Sequence, residues 1–269
     1  MHKLLPLFVL LLLVLLAPLA RAGVRIETVT TKDGKSMQTV LSLEGKKLRM
    51  EHSDPANPGA SPGTSPNPSG TAIFDGERLL VLSPASKSYS ELTLADLKAQ
   101  LAKIEAMRSQ LPPAAQAELD KRSTPPRFTF ERTAGGDTLA GFKCQNYLLQ
   151  RDGHPHGTAC LAAWASGAVR KEDLGPIQTL MQSMSALTRL AAPGELPMTD
   201  IDQWPGWALS LKDESGQETL RTTAVRRGAL PASLFSPPAD YVKSAGGLGG
   251  LGMSAAPPQH HPAPASAPQ

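Results

Sequence analysis

The sequence predicts an α+β protein in which short antiparallel strands form one sheet and two amphipathic helical segments pack on it. Short runs with alternating apolar and β-branched residues are separated by turns that contain glycine or proline. Two longer segments place apolar residues three or four positions apart, which is the helical period. The chain's two cysteines, Cys144 and Cys160, lie within one predicted hairpin.

The residue pattern of the N-terminal half predicts six strands before the first helix. Val24, Ile26 and Val29 do not alternate strictly, so we expect a twist or bulge in the first strand. Tight turns are expected at residues 32–35 and 44–47. The predicted strands cover residues 24–31, 36–43, 48–52, 71–75, 78–82 and 88–92.

The first 22 residues have the pattern of a cleaved secretory signal peptide. An apolar run from Leu4 to Leu16 is followed by Ala20-Arg21-Ala22, a small-residue cleavage site. We therefore expect a periplasmic or secreted protein that is soluble after cleavage following Ala22. No later segment approaches the ~20 apolar residues of a membrane span.

The charge of the predicted mature chain excludes an electrostatic case for nucleic-acid binding. The 27 basic residues lose Lys3 and Arg21 with the signal peptide, so 25 remain against 24 acidic residues, a net charge of +1. No block of lysine or arginine concentrates that charge.

Residues 23–242 are predicted to form a single domain, with one segment of biased composition inserted in it and another after it. Residues 54–70 form a Pro/Ser-rich insertion and residues 243–269 a Gly/Ala/Pro tail, and both are expected to be disordered. Each contains a chance motif. Ser61 lies in a Gly-x-Ser-x-Gly match without the strand and helix that a nucleophile elbow needs, and residues 247–252 match Gly-x-Gly-x-x-Gly without a following helix.

The first helical segment begins at Thr93, where Asp96 three residues later predicts a capping box. It ends at Pro112-Pro113, and a second short helix is expected over 114–122. Packing on the sheet explains its apolar stripe, and a mobile lid over a ligand explains it as well. The stripe consists of Leu94, Leu97, Leu101, Ile104, Met107 and Leu111.

A later helix is predicted from near Lys171 to before Pro193, again with one apolar side. Met181 and Met184 suit a core, and they equally suit an adaptable surface for acyl chains, because the unbranched thioether fits irregular apolar partners. The candidate ligand-binding residues of the two segments are Leu97, Leu101, Ile104, Met107, Ile177, Met181 and Met184.

The cysteines predict a cross-strand disulfide. A strand over 127–133 and a turn at 134–137 lead into the hairpin. If residues 151–153 form a three-residue loop, Cys144 lies opposite Cys160, Gln150 opposite His154 and Leu148 opposite His156. In the loop-entropy model, such a bond raises the free energy of unfolding by about 3 kcal/mol. Two reduced, buried thiols are the alternative, and export favours the disulfide.

The titratable residues do not form a catalytic or metal-binding pattern. His154 and His156 flank one proline, His260 and His261 lie in the tail, and neither pair has further ligands at metal spacing. We therefore expect no metal, no cofactor, no catalytic residues and no enzymatic activity. The remaining acidic candidates are scattered at turns and strand ends, at Asp75, Glu77, Glu131, Asp137 and Asp173.

The order of several short motifs resembles the bacterial envelope family called domain of unknown function 4412. The motifs are 48–51 (LRME), 72–75 (AIFD), 88–92 (SYSEL), 139–147 (LAGFKCQNY), 160–162 (CLA), 205–209 (PGWAL) and 234–241 (LFSPPADY). The Pro/Ser-rich insertion departs from the family, and so does Asp240, where glycine is expected.

That family is similar in layout to the lipoprotein-carrier and sigma-regulator group of LolA-like and RseB-like proteins. The resemblance implies a half-open β-barrel, a curved sheet whose concave side is covered by helices and holds acyl chains. It implies no catalytic residues.

Two functions from different classes follow. The first is a non-catalytic periplasmic binding or chaperone-like protein that shelters a lipid, a lipidated protein or another apolar ligand between sheet and helices. The alternative is an envelope interaction or sensing module without a small ligand, in which a partner protein pairs with a sheet edge.

Overall fold

The computed structural model describes residues 22–54, 70–123, 126–191 and 201–244. Residues 1–21 of the predicted signal peptide, most of the predicted insertion and the predicted tail beyond Ser244 lie outside these ranges.

The described residues form one mixed sheet of twelve strands with the order β12-β6-β5-β4-β3-β2-β1-β11-β10-β9-β8-β7. The sheet is curved and unclosed, with β12 and β7 at its edges, and every neighbouring pair is antiparallel except β12 and β6. The strands are β1 (Gly23–Lys32), β2 (Lys35–Glu44), β3 (Lys47–Ser53), β4 (Gly70–Phe74), β5 (Arg78–Ser83), β6 (Ser88–Thr93), β7 (Phe128–Leu139), β8 (Phe142–Arg151), β9 (His154–Ala163), β10 (Gly206–Lys212), β11 (Glu218–Gly228) and β12 (Val242–Lys243).

Three α-helices are described: α1 (Leu94–Ser109), α2 (Pro113–Ser123) and α3 (Gly175–Ala191). The capping box at the start of α1 is confirmed. The Asp96 amide donates to Thr93 Oγ1 at 3.0 Å, and the Thr93 amide donates to Asp96 Oδ2 at 3.3 Å. A 3₁₀ turn, Lys171–Leu174, leads into α3.

The concave face carries the main core, and its apolar rows run straight across the strands. Val24 pairs in register with Leu43, and Leu43 with Leu48, all of them buried. Leu174, Ile177 and Leu180, from the 3₁₀ turn and α3, belong to the same cluster. The predicted α+β fold with helical segments on the concave side of an antiparallel sheet is therefore confirmed.

Two smaller apolar clusters lie on the outer face of the sheet, opposite the main core. Ile73, Leu80 and Leu82 of β4 and β5 pack under the C-terminal segment that contains Phe235. At the other end of the sheet, Leu161 and Trp204 form a cluster with Phe130, Tyr147 and other neighbours. Because alternate residues of a strand point to opposite faces, Leu161 faces outward while its neighbours Cys160 and Ala162 belong to the concave core.

The twist or bulge expected in the first strand is found instead as a bulge in its partner β11, and β1 pairs with β2 without a break. Glu27 pairs with Ala224 but Thr28 pairs with Thr222, so Thr223 is an extra residue on β11. A bulge of this kind increases local twist and bends the sheet.

The predicted register of the cysteine hairpin is wrong by one residue next to the turn and by two residues at the cysteines. Asp152 and Gly153 form a two-residue turn with φ of 52° and 80°, so Arg151 pairs with His154. His156 is then an extra residue, because Gln150 pairs with Pro155 and Leu149 with Gly157. As a result Asn146, not Cys144, lies opposite Cys160, Gln150 is not opposite His154, and Leu148 is opposite Thr158 instead of His156.

The turn predicted at residues 134–137 is also wrong. β7 continues through this segment to Leu139, and the chain reverses at Ala140 and Gly141, whose φ values are 50° and 82°. Residues 133–135 instead form a bulge opposite Asn146, with Gly135 at a φ of 84°. Glycine permits that left-handed conformation in a bulge as readily as in a turn.

Candidate functional site

The seam between α1 and α3 contains most of the residues predicted to bind an apolar ligand. Leu97 is buried with Leu92 of β6, and Leu101, Ile104 and Met184 pack partly buried against them. Met184 contacts the main core as well as this cluster. The seam is therefore apolar on both helices and continuous with the concave face.

Ile177 and Met181 lie deeper, on the side of α3 that faces the sheet. Ile177 is a buried member of the main core, and Met181 packs against that core partly buried. These two residues thus contact the floor of the concave face, whereas Leu101 and Ile104 pack against the separate cluster of Leu92 and Leu97.

The apolar stripe of α1 changes from buried to exposed along the helix. Leu97 in the first turn is 2% exposed, whereas Met107 in the last turn is 61% exposed. Leu111, just after the helix, is 38% exposed. The structure therefore brings six of the seven candidate residues into the packed layer and leaves Met107 on its surface, in line with them.

Polar contacts join α1 to α2. Arg108 is ion-paired with Asp120, and Gln116 Nε2 donates to the Leu111 carbonyl at 2.8 Å. These bonds are exposed, and exposed ion pairs contribute little to stability. The outer end of α1 is therefore held mainly by surface contacts.

The beginning of α3, in contrast, is fixed by a half-buried ion pair. Both Asp173 oxygens accept from Arg227 of β11, at 2.7 and 3.0 Å, and Asp173 Oδ2 also accepts from the Arg170 amide at 2.8 Å. Burial alone would raise the pKa of the Asp173 carboxyl, but the bonds from Arg227 and the Arg170 amide outweigh it and lower that pKa. The 3₁₀ turn is thus tied to the sheet on the concave side.

A polar row bounds the apolar floor of the concave face. Thr222, Thr28, Thr39 and His52 are cross-strand neighbours in register, and Thr39 Oγ1 lies 2.9 Å from His52 Nδ1. Burial lowers the pKa of His52, so its imidazole is neutral at pH 7. The apolar region therefore ends at this row.

Cys144 and Cys160 form the predicted disulfide, with an S–S distance of 2.03 Å and a Cα–Cα distance of 5.3 Å. Both belong to the concave core. The pairing of the two residues is confirmed although the register used to predict it is wrong, because the bond joins β8 and β9 diagonally.

A cleft of about 390 Å³ lies on the outer face at the β7 end of the sheet. The sequence does not predict it, because its walls come from segments that only the strand order brings together. The lining residues are Phe128, Leu149, His156, Trp204, Leu211, Lys212, Asp213, Glu214, Ser215 and Thr219. None of the seven candidate residues is among them.

An aromatic group separates this cleft from a neighbouring depression. The rings of Phe130 and Trp204 are 4.7 Å apart, and the His156 ring lies 6.0 Å from that of Phe128. Trp204 is held in place by Trp164, whose Nε1 donates to the Trp204 carbonyl at 2.8 Å. The depression is lined by Phe128, Thr129, Phe130, Tyr147, Asp202, Gln203, Trp204 and Pro205.

Three of the five acidic candidates are engaged in hydrogen bonds or an ion pair that explain their positions. Asp75 Oδ1 accepts from the amides of Glu77 and Arg78 in a turn. Asp137 Oδ1 accepts from the Thr138 amide, and Asp173 is paired with Arg227. Within the described ranges, no three His, Cys, Asp or Glu side chains lie close enough together to hold a metal ion.

Comparisons with known proteins identify no family. No protein-family model matches the chain, and no curated protein matches it. Membership in the domain of unknown function 4412 family therefore stays a prediction. The layout that the resemblance implied, a curved and unclosed sheet with helices on its concave side, is the layout of the structure.

Several solved structures are distantly similar. An uncharacterized conserved protein from Thermus thermophilus matches with a TM-score of 0.39 and 8% identity, over 84% of this chain and 92% of that one. MucB in the MucA/MucB complex of Pseudomonas aeruginosa matches with a TM-score of 0.35 and 11% identity, over 82% of this chain. The chain spans 57% of the length of that MucB match. Likenesses of this size support no functional inference.

In the part of the chain that the structure describes, no helix is both long and apolar enough to cross a membrane.

Proposed function

We propose that this protein is an exported, non-catalytic binding or chaperone-like protein that shelters an acyl chain, or a similar apolar group, between the concave sheet face and the α1–α3 layer. The single observation that carries the proposal is that the apolar side chains of α1 become exposed along the helix. Leu97 is buried, whereas Met107 is 61% exposed. Apolar surface that continues outward from a packed core is one of the features that mark ligand-binding grooves, and here it runs from Met107 to Leu111, which is 38% exposed.

The packing of the layer favours a movable α1 over a fixed one. Its first turn is anchored by the capping box and by Leu97, whereas Leu101 and Ile104 are only partly buried. α3 is fixed at its start by the Asp173–Arg227 pair and by Leu174 in the core. Outward movement of α1 about its first turn would open the seam without disturbing the sheet.

The lining of the seam suits a flexible apolar ligand. Met181 and Met184 adapt to irregular shapes, and apolar burial supplies about 25 cal/mol per Å² of ligand surface. Burial raises the pKa of both the Asp75 and the Asp173 carboxyl, but hydrogen bonds outweigh it and lower each pKa. For Asp75 these bonds come from the Glu77 and Arg78 amides and the Arg78 side chain, and for Asp173 they come from Arg227 and the Arg170 amide. A lowered pKa suits neither carboxyl as a proton donor near neutral pH. An exported location is consistent with the disulfide.

The proposal is tested by titrating the protein with the apolar fluorophore N-phenyl-1-naphthylamine. Met107→Glu should weaken binding about tenfold, because a carboxylate placed against an apolar ligand costs more than about 1.4 kcal/mol. Val242→Glu is the matched control, since Val242 is 67% exposed on β12 and belongs to neither apolar cluster that α1 or α3 contacts. Equal affinities of the two variants, or no binding to the unsubstituted protein, would refute the proposal.

A further inference from the structure

The free edge of β7 is independent of the helical seam and has a side-chain pattern of its own. In the part of the chain that the structure describes, β7 is the last strand of the sheet and pairs only with β8. Arg127, just before it, directs both backbone groups at Asp152: its carbonyl accepts from the Asp152 amide, and its amide donates to Asp152 Oδ1. Because backbone groups alternate along a strand, those of Phe128, Phe130 and Arg132 point to the free side.

The first backbone amide on that free side, that of Phe128, already donates to a side chain in the way it would donate to a neighbouring strand. The Phe128 amide donates to Gln203 Oε1 at 3.3 Å. At the other end, the bulge over 133–135 is closed from β8, where Gln145 Nε2 donates to the Thr133 and Gly135 carbonyls at 2.6 and 2.7 Å. Among the described residues, the part of this edge without a hydrogen-bond partner on its free side is therefore the short stretch from Phe130 to Arg132.

The outer face beside this stretch is apolar at one position and positive two residues later. Phe130 borders the aromatic depression, together with Tyr147, Trp204 and Pro205. Arg132, on the same face, donates to the neutral Gln145 side chain at 3.0 Å, and no carboxylate pairs with it among the described residues. Glu131 points to the opposite face, since alternate residues do.

We propose that the β7 edge binds an extended peptide segment of a partner protein, a segment with an apolar side chain and, two residues away, a carboxylate. The backbone of the segment would pair with Phe130 and Arg132 as an added strand. Its apolar side chain would lie in the depression beside Phe130 and Trp204, and its carboxylate would neutralise Arg132. The surface is outside the α1–α3 seam, so this proposal stands or fails separately from ligand sheltering.

The test uses a seven-residue probe peptide, acetyl-STVTETS-amide, and the ¹⁵N-labelled protein. Binding should shift the amide resonances of Phe130 and Arg132 and slow their hydrogen exchange. Arg132→Glu should lower the affinity for the peptide about tenfold. A peptide with lysine in place of its glutamate should bind that variant with restored affinity. Arg127→Glu is the matched control, because it reverses the same charge at a residue whose backbone bonds to the β8 side of the strand. It should leave the affinity for the peptide nearly unchanged.

Three outcomes would overturn the proposal. The first is the absence of shifts at Phe130 and Arg132. The second is an equal loss of affinity in the Arg127→Glu variant, which would show attraction by net charge alone. The third is self-association through β7, seen as a dimer by sedimentation that protects the same amides without peptide. Circular dichroism of both exposed-site variants confirms that they are folded.

Discussion

At the residue scale, a few side chains and glycines fix how the elements join. Asp173 is the clearest polar example, since its carboxylate ties the 3₁₀ turn before α3 to Arg227 on β11. Gly157 is the clearest backbone example, since it follows the bulge that sets the register of the disulfide hairpin.

Asp173→Asn should lower the free energy of unfolding by about 2 kcal/mol at pH 7, as expected for hydrogen bonds to a charged group. The pKa of Asp173 is lowered in the folded protein, so its contribution is full above the unfolded pKa of about 4 and is lost as the pH falls through the folded pKa. The measurement is urea unfolding of both proteins at pH 7 and pH 3, with a smaller difference at pH 3. Asp202→Asn, in an exposed pair with Lys171, is the control and should cost less than ~1 kcal/mol. A difference that is the same at both pH values would contradict this account of Asp173.

Gly157→Ala should destabilise the protein by at least about 3 kcal/mol. Gly157 has a φ of 119°, and a Cβ placed there would lie 1.9 Å from the Lys212 carbonyl oxygen of β10, which cannot move without breaking the ladder. Gly153→Ala is the matched variant, because Gly153 also has a positive φ but no atom within 4 Å of the added carbon, so it should cost only about 1–2 kcal/mol. Thermal unfolding of both variants checks the ranking, and equal costs would show that the close approach of β9 to β10 is not rigid.

At the element scale, the sequence predicts elements with a strong local signal and misplaces those whose register depends on one residue. The Thr93–Asp96 capping box and the turn at Asp33-Gly34 are local, and the structure agrees with both. The register of the cysteine hairpin is harder to predict. The turn is one residue shorter than predicted and His156 is an extra residue in β9, and each difference shifts every later cross-strand pair by one. Nothing in the pattern of apolar residues distinguishes a glycine in a bulge, such as Gly135, from a glycine in a turn.

The packing of α1 predicts a steep difference between its two ends. Leu97→Ala should destabilise the protein by about 2–5 kcal/mol, because Leu97 is buried between β6 and α3. Met107→Ala should change stability by less than ~0.5 kcal/mol, because that side chain is exposed. Urea unfolding measures both, and a large cost for Met107→Ala would mean that the outer end of α1 is packed and does not serve as a movable cover.

At the scale of the whole molecule, one curved sheet carries a core on its concave side and separate clusters on its outer side. The α+β class and the apolar helical cover were predictable from periodicity alone. The outer cleft and the free edge of β7 were not, because they depend on a strand order in which β7 is last and β10 lies beside β9. No local pattern in the sequence encodes that order.

The disulfide should stabilise this whole-sheet arrangement. Cys144 and Cys160 are 16 residues apart, and replacing both with alanine should lower the free energy of unfolding by about 3 kcal/mol in the loop-entropy model. Two urea-unfolding experiments check this value: the double variant is compared with the oxidised unsubstituted protein, and the unsubstituted protein is compared with and without a reductant. An unchanged unfolding free energy in both experiments would show that packing of β8 against β9 already supplies the constraint.

The central claim, that the α1–α3 layer shelters an apolar ligand, is tested most directly by native mass spectrometry of the protein purified from the periplasm. The account predicts a non-covalent adduct that organic solvent extracts, that has the mass of a lipid or another apolar molecule, and that the Met107→Glu variant retains less well. A mass equal to that of the bare polypeptide, together with slow hydrogen exchange along the full length of α1, would contradict it.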